Sequence, residues 1–158
     1  MEQKVIDFIN SQRICVFSIE MMDGSPHAST LHFAINENPL TFFFKTSRSY
    51  LKSEPLLNKE KTRASVVVGF DESNMKTLQL DGEAKLIKSE EEIELFDKMY
   101  YTKFPEKAEK VYDSSTDVLF SFIPTWWRYS DWTGPEGKSI ITSEKKQCTT
   151  YITLMGLY

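Results

Sequence analysis

Residues 40–52, LTFFFKTSRSYLK, carry the sequence signal that decides the fold. The first part, residues 40–45, is continuously apolar and aromatic apart from its ends, which predicts a strand buried on both faces. The second part, residues 45–52, combines hydroxyl groups, cations and a predicted helix start at Ser47 or Ser49. A phosphate dianion binds to such groups, but a capped helix with solvated lysines has the same composition. The segment therefore predicts either a phosphate site or an ordinary helix start.

Six strands are predicted from runs of β-branched and aromatic residues between turn signals. They cover residues 13–20, 28–35, 40–45, 62–70, 75–88 and 118–129. Gly82 predicts a bulge within the fifth strand. Amphipathic helices are predicted at residues 2–11 and 89–103, the second capped by Ser89 and ended by Pro105. The chain is therefore expected to be mainly β with flanking helices.

Length and composition indicate one domain with a substantial core. The chain has 158 residues, of which 41% are hydrophobic and 27% charged, and its net charge is -4. An acidic balance argues against broad nucleic-acid binding, which depends on a basic face. Cys15 and Cys148 are too few for a disulfide framework, and the sequence has no run of about 18 apolar residues or signal peptide. We expect a soluble cytoplasmic protein that binds neither nucleic acid nor membranes.

The sequence contains few groups that could perform catalysis by themselves. It has no G-x-S-x-G motif, no glycine-rich phosphate loop and only two histidines, His27 and His32. Five residues apart in one strand, these histidines point to opposite faces and cannot easily share a metal ion. The carboxylates of residues 90–94 follow a helix cap and are interpreted as a solvated helix start. We therefore predict neither catalytic side chains nor a metal site.

The order and spacing of several motifs resemble a known family. PHASTLH at 26–32 is followed by Thr46, by Lys52 six residues later, by the strand at 63–68 and by Gly-Glu-Ala at 82–84. This pattern resembles the pyridoxamine 5'-phosphate oxidase-like flavin-binding split barrels, in particular their small general-stress-protein and heme-utilisation-like branches.

Two further segments, residues 101–105 (YTKFP) and 128–131 (RYSD), resemble small members of the same superfamily. The resemblance covers about residues 1–132. It implies an FMN-binding split-barrel domain at 1–133 and leaves residues 134–158 as a tail of uncertain structure. The tail is interpreted either as a terminal strand across a dimer partner or as a poorly ordered end.

The resemblance implies a six-stranded antiparallel split barrel that forms a homodimer with one FMN in each of two interface clefts. Ser29, Thr30, Leu31 and His32 would line the isoalloxazine ring. The ribityl chain and the phosphate would be held by Lys45, Thr46, Ser47 and Lys52. Thr77 would take the place of a ring-contacting glutamine, and Trp127 or a neighbouring tryptophan of the last strand would close the pocket from the partner chain.

The implied function is that of an FMN-dependent oxidoreductase acting on an unidentified small molecule. Family members often carry arginine at the position of Ser29 and a Ser-Arg-Lys run at 50–52; Arg48 and Lys45 are the cations available here in their place. The Arg-Leu-His element of the true oxidase is absent, so vitamin B6 oxidation is not expected. The alternatives are a split barrel that binds heme or another ligand without turnover, and a non-catalytic dimer. An aromatic content of 13% is consistent with a chain that covers a core, a cleft and a dimer interface.

Overall fold

A computed structural model describes residues 1–69, 71–108 and 112–143. Within these residues there are three α-helices: α1 (Gln3–Ser11), α2 (Ser53–Asn58) and α3 (Glu90–Lys103). Eight strands are present in the same part of the chain. They are β1 (Ile14–Glu20), β2 (Pro26–His32), β3 (Ala34–Glu37), β4 (Leu40–Ser47), β5 (Thr62–Val68), β6 (Lys76–Leu86), β7 (Asp117–Asp131) and β8 (Ser139–Thr142).

All strands belong to one antiparallel sheet, in the order β2-β1-β5-β6-β7-β4-β3, with β8 added on β7. The two strands at the ends of this order, β2 and β3, are joined by the single residue Phe33. The sheet must therefore curl until its ends meet, which makes it a barrel. Phe33 is fully buried at this junction, and its N–H donates to the carbonyl of Arg13 at 3.3 Å.

The prediction of six strands is wrong, because the described residues alone form eight. The bend at Phe33 divides the predicted strand 28–35 between two edges of the sheet, since β2 pairs with β1 and β3 pairs with β4. The additional strand, β8, comes from the predicted tail and pairs with Arg128–Asp131 of β7 in the same chain. The remainder of the tail, residues 144–158, lies outside the described residues.

Aromatic residues fill two layers on opposite sides of the sheet. Inside the barrel, Phe44 stacks on Phe120 with ring centroids 4.8 Å apart, and Phe17 packs against both rings. On the outside, α3 covers the sheet, and Phe96 meets Phe43 edge to face at 6.2 Å. Because successive residues of a strand point to opposite faces, β4 supplies side chains to both layers. This two-layer packing accounts for the Phe42-Phe43-Phe44 run.

Local signals set the ends of several elements as predicted. Ser89 caps α3 by accepting the N–H of Glu92 at 3.2 Å, and the helix ends two residues before Pro105. The ladder between β6 and β7 shifts register at Gly82, opposite Pro124. A proline is tolerated there, because a bulge interrupts the regular hydrogen bonding.

The predicted helix start after β4 is wrong in position. Ser47 still pairs with Asp117 in the sheet, and α2 begins only at Ser53, with no side-chain cap. The oxygen of Ser47 lies 2.9 Å from that of Ser49 and does not cap the helix. Pro55 lies in the first turn of α2, where the missing N–H removes no helical hydrogen bond. Residues 48–52 thus form a turn.

Candidate functional site

The barrel has an open seam where two strands present unpaired edges. In the described chain, β2 pairs only with β1, and β3 covers β4 only as far as Phe43. The edge of β2 and the second half of β4 are therefore free to receive another group. A cleft of about 460 Å³ lies at this seam. Its walls are formed by Leu31, Lys45, Thr46, Ser47, Tyr50, Tyr100, Tyr101, Lys107 and Asp117.

Thr46 carries a buried hydroxyl group with no hydrogen-bond partner. The residue is 6% exposed, and its Oγ1 has no donor or acceptor within reach in the described part of the protein. A buried hydroxyl without a partner costs about 1–3 kcal/mol. Thr46 is one of the residues that line the cleft, and a polar ligand atom that reaches its Oγ1 would remove this penalty.

Positive charge is concentrated on the same walls. Lys45 pairs with Asp117 at 3.0 Å, and both side chains are largely buried. Lys107 approaches from the other side, where its Nζ lies 5.7 Å from the ring centroid of Tyr100. Two lysines face a single carboxylate in this cleft. The site is therefore suited to an anionic group.

Lys52 contacts Tyr50, a residue of the cleft wall, and does not itself line the cleft. The residue is only 5% exposed, and its Nζ lies 4.6 Å from the centroid of the Tyr50 ring. Burial lowers the pKa of this amine, and no carboxylate of the described residues forms an ion pair with it. Lys52 thus has little exposed surface, and its ammonium group lies over an aromatic face without a carboxylate partner among the described residues.

Other polar groups of the 45–52 segment are engaged within the fold. The guanidinium of Arg48 donates to the carbonyl of Ser114 at 3.0 and 3.2 Å, which ties the turn to the start of β7. The carbonyl of Ser47 accepts the hydroxyl of Ser53 at 2.7 Å. Arg48 therefore fixes the position of the turn, and Lys45 and Lys52 supply the charge.

The predicted ring-lining residues of β2 have different environments. Leu31 lines the cleft and packs against the core, whereas Thr30 points outward and is exposed. The hydroxyl of Ser29 is buried and has no hydrogen-bond partner in the described residues. His32 lies beyond the cleft and meets Phe104 edge to face at 5.3 Å. Burial lowers the pKa of His32, and the nearby Lys107 and Arg13 lower it further.

Thr77 and Trp127 lie away from this cleft in the same chain. Thr77 pairs with Ser130, thirteen residues along β7 from the Asp117 that borders the cleft. At about 3.3 Å per residue, this separation is roughly 40 Å along the strand. Trp127 is partly buried against the barrel core opposite Leu80. Within one chain, Leu31 and residues 45–47 therefore line the same cleft, and Thr77 and Trp127 lie outside it. The place of Thr77 and Trp127 in a cofactor site stays a prediction.

The far wall of the cleft was not predicted from the sequence. It consists of Tyr100 and Tyr101 of α3, Lys107 after that helix, and Asp117 of β7. The hydroxyl of Tyr101 is buried without a hydrogen-bond partner in the described part of the chain, as is that of Thr46. Only the YTKFP resemblance pointed to this region, and it assigned no role to it.

Other depressions and side-chain clusters are less suited to a cofactor. A depression of about 550 Å³ on the outside of β1, β5 and β6 is bordered by the Arg63–Glu20 ion pair, whose charges neutralise each other at 2.5 Å. Within residues 1–69, 71–108 and 112–143, no three His, Cys, Asp or Glu side chains are grouped to hold a metal ion. None of the helices described there is long and apolar enough to span a bilayer.

Solved structures share the fold at low sequence identity. A protein related to general stress protein 26, from Clostridium acetobutylicum, matches with a TM-score of 0.62 and 16% identity over 90% of this chain and 92% of its own. The heme storage protein HutZ of Vibrio cholerae matches with a TM-score of 0.62 and 18% identity over 78% and 89%. A heme-binding protein from Mycobacterium smegmatis matches with a TM-score of 0.68 and 13% identity, over 86% of this chain and 54% of its own. These similarities show a common fold.

Sequence comparison identifies the family. No curated protein matches the chain. The family model described as pyridoxamine 5'-phosphate oxidase matches residues 1–131, which include every element from α1 to β7 and the whole seam with its cleft. The chain therefore belongs to the pyridoxamine 5'-phosphate oxidase family.

Proposed function

We propose that the protein is an FMN-binding flavoprotein that acts as an oxidoreductase on a small molecule. The observation that carries the proposal is the buried hydroxyl of Thr46, which has no partner among the described residues, in a cleft that Lys45 also lines and whose Tyr50 contacts Lys52. A phosphate in the cleft would give Thr46 and Lys52 a partner and would add a second anion beside Lys45, which already pairs with Asp117. The family membership of the chain agrees with this cofactor.

The donor set of the cleft fits the phosphate of FMN. A phosphate dianion accepts several hydrogen bonds and is stabilised most by charge-assisted ones. Thr46 and Ser47 offer hydroxyl donors, and Lys45 offers an ammonium group at the cleft surface. Lys52 adds a second ammonium group if its Nζ moves from the Tyr50 ring toward the phosphate. These residues of β4 and the following turn would anchor the cofactor.

The edge of β2 would hold the flavin ring. A terminal strand presents backbone N–H and C=O groups that a ligand can use, as a peptide does in strand addition. The side chain of Leu31 offers an apolar contact beside this edge, and the buried hydroxyl of Ser29 has no partner in the part of the chain that the structure describes. When bound, the flavin would supply the electron transfer, and these residues would orient it and exclude water.

We also propose a homodimer in which the partner completes the site. Thr77 lines a separate pocket of about 300 Å³ with Met75 and Trp132, and Trp132 is 46% exposed. An exposed tryptophan beside a pocket is typical of an interface. A second copy that places this pocket against the β2 edge would bring Thr77 to the ring.

Comparing FMN with riboflavin tests the phosphate assignment. Riboflavin has the same ring and lacks the phosphate, so titration of cofactor-free protein with each compound isolates the contribution of residues 45–52. We expect FMN to bind at least about 100-fold more tightly, since two charge-assisted hydrogen bonds contribute about 3 kcal/mol or more. Equal affinities would refute the assignment. A Soret band with tight binding of hemin, and no flavin binding, would favour a heme protein.

A further inference from the structure

A pocket lined by two methionines and a histidine lies between the β1–β2 turn and the start of α2. It has a volume of about 380 Å³, and its walls include Met21, Met22 and His27 of the hairpin. Leu51 and Glu54, which follow β4, form the opposite side. None of these residues lines the proposed cofactor cleft. Two thioethers and an imidazole therefore border one small space of their own.

The strand register places Met21 and His27 close together on one face of the hairpin. His27 pairs with Ile19, and the N–H of Met21 donates to the carbonyl of Ser25 at 2.8 Å, which continues the ladder past the end of β1. Residues 19 and 21 point to the same face, because side chains alternate along a strand. Met21 and His27 are therefore diagonal neighbours, a relation that separates two residues by about 7–8 Å and lets long side chains meet.

The turn that carries Met22 is fixed by hydrogen bonds. The N–H of Gly24 donates to the carbonyl of Met21 at 3.1 Å, and Gly24 has a φ of 84°, which favours glycine. The carboxylate of Asp23 accepts the N–H and the hydroxyl of Ser25 at 2.9 and 2.6 Å. Met22 itself is 47% exposed. Its thioether is thus accessible on a turn whose shape is set before any ligand binds.

The imidazole of His27 is free to act as a ligand. The residue is half-buried at the pocket wall, and its ring nitrogens form no hydrogen bond with any described residue. A neutral imidazole has one nitrogen lone pair, which accepts a hydrogen bond or binds a metal ion. An accessible lone pair beside two thioethers is a combination that a metal ion can use.

These three groups select a soft monovalent ion. Thioethers favour Cu(I), whereas harder divalent ions need carboxylates, thiolates or several imidazoles. In the described chain, no three His, Cys, Asp or Glu side chains are grouped to hold such an ion. The local charge also favours a cation, since Asp23 and Glu54 line the pocket and the Lys59 amine, which donates to the Met21 carbonyl at 3.4 Å, offsets one of them.

We propose that Met21, Met22 and His27 bind one Cu(I) ion through two thioether sulfurs and one imidazole nitrogen. Three lone pairs form the bonds, and the ion enters and leaves as Cu(I), so no electron is transferred. Flavin is not required, because none of the three residues lines the cofactor cleft.

Methyl NMR of protein labelled with ¹³C at the methionine methyl groups locates the ion. Ag(I) is the probe, since it has the charge and ligand preference of Cu(I) and does not oxidise in air. Cys148, which lies outside the described residues, is replaced by serine because thiolates bind the same ions. We expect the Met21 and Met22 signals to shift and to saturate at one ion per chain. Met75, which is 50% exposed and borders a different pocket, should not respond.

Competition with the Cu(I) chelator bicinchoninate, without oxygen, measures the affinity. Changes around a metal site alter affinity about 10- to 100-fold even when they spare the ligands, so Met22→Leu and His27→Asn should each weaken Cu(I) binding at least about tenfold. Met75→Leu is the matched control and should bind as the wild type does. Unchanged affinity in both ligand variants, or equal Ag(I) shifts of the Met22 and Met75 signals, would overturn the site. The NMR arm keeps all three ligands, so it decides the question even if a variant fails to fold.

Discussion

Replacing Lys52 with methionine should change the stability of the protein and its affinity for FMN in opposite directions. Lys52 is 5% exposed, and in the described chain its ammonium group has the Tyr50 ring, 4.6 Å away, in place of a carboxylate partner. Methionine keeps an unbranched chain of similar length and removes the charge. The cofactor-free protein therefore loses an uncompensated buried cation, and the FMN complex loses a phosphate ligand.

The expected magnitudes follow from these contacts. A hydrogen bond to a charged group contributes about 1.5–3 kcal/mol, so Lys52→Met should weaken FMN binding by about 10- to 150-fold. The gain in stability without cofactor is smaller, because a cation–π contact of about 0.5–2 kcal/mol already offsets part of the burial cost. We expect the free energy of unfolding of the cofactor-free protein to rise by about 0.5–1 kcal/mol.

Urea unfolding of the cofactor-free protein and FMN titration by fluorescence quenching measure the two effects. Lys4→Met is the matched control, since Lys4 lies on α1 with a side chain that is 56% exposed, and it should change neither quantity. If Lys52→Met destabilised the cofactor-free protein and left FMN affinity unchanged, Lys52 would be a structural residue and the phosphate assignment would be refuted.

Three further predictions follow from the same structure. Thr46→Val should leave the cofactor-free protein equally or more stable and weaken FMN binding about 10- to 150-fold by titration, because the hydroxyl has no partner among the described residues until it bonds to the charged phosphate. Gly82→Ala should lower the free energy of unfolding by about 1–3 kcal/mol in urea, because a Cβ would lie 2.1 Å from the Ile123 carbonyl oxygen; Gly134→Ala, whose nearest contact is 3.4 Å, should be close to neutral. Lys103→Met should be more stable than the wild type at pH 7, and this difference should shrink between pH 8 and pH 10. Burial lowers the pKa of Lys103 in the folded protein to about 8, so above pH 8 the unfolded chain binds more protons than the folded one. The free energy of unfolding of the wild type therefore rises with pH, by at most about 1.4 kcal/mol per pH unit. A stability difference independent of pH would contradict the last prediction.

Local signals predicted the features that depend on neighbouring residues. Ser89 caps α3 because a serine three residues before a glutamate at a helix start satisfies the exposed N–H groups there. Gly82 marks the bulge because only a residue without a Cβ fits against the Ile123 carbonyl. Both depend on short-range sterics and hydrogen bonding, which the sequence displays directly.

The bend at Phe33 could not be read from the sequence. The run from Ala28 to Ile35 has strand character throughout, and nothing in it marks the point where pairing passes from β1 to β4. That point is set by closure of the barrel, which depends on all the strands together. The predicted helix start at Ser47 failed for a similar reason, because pairing with Asp117 extends β4 to Ser47.

Only one wall of the candidate cleft was expected from the sequence. The resemblance to the family implied Leu31 and residues 45–47, and in the structure these residues line one cleft. The opposite wall, with Tyr101 and Lys107, is about 55–60 residues further along the chain and reaches the cleft only because α3 packs on the outside of β4. Contacts at such separation follow from the sheet order and leave no local pattern in the sequence.

Identification of the cofactor that leaves the purified protein on denaturation tests the central claim most directly. The purified protein is first incubated with excess FMN and desalted. It is then denatured, and the released compound is measured by its absorbance spectrum and its mass. The account predicts FMN, with twin visible bands, at close to one per chain. Protein that stays colourless after incubation with FMN, or that releases heme with a Soret band, would contradict it.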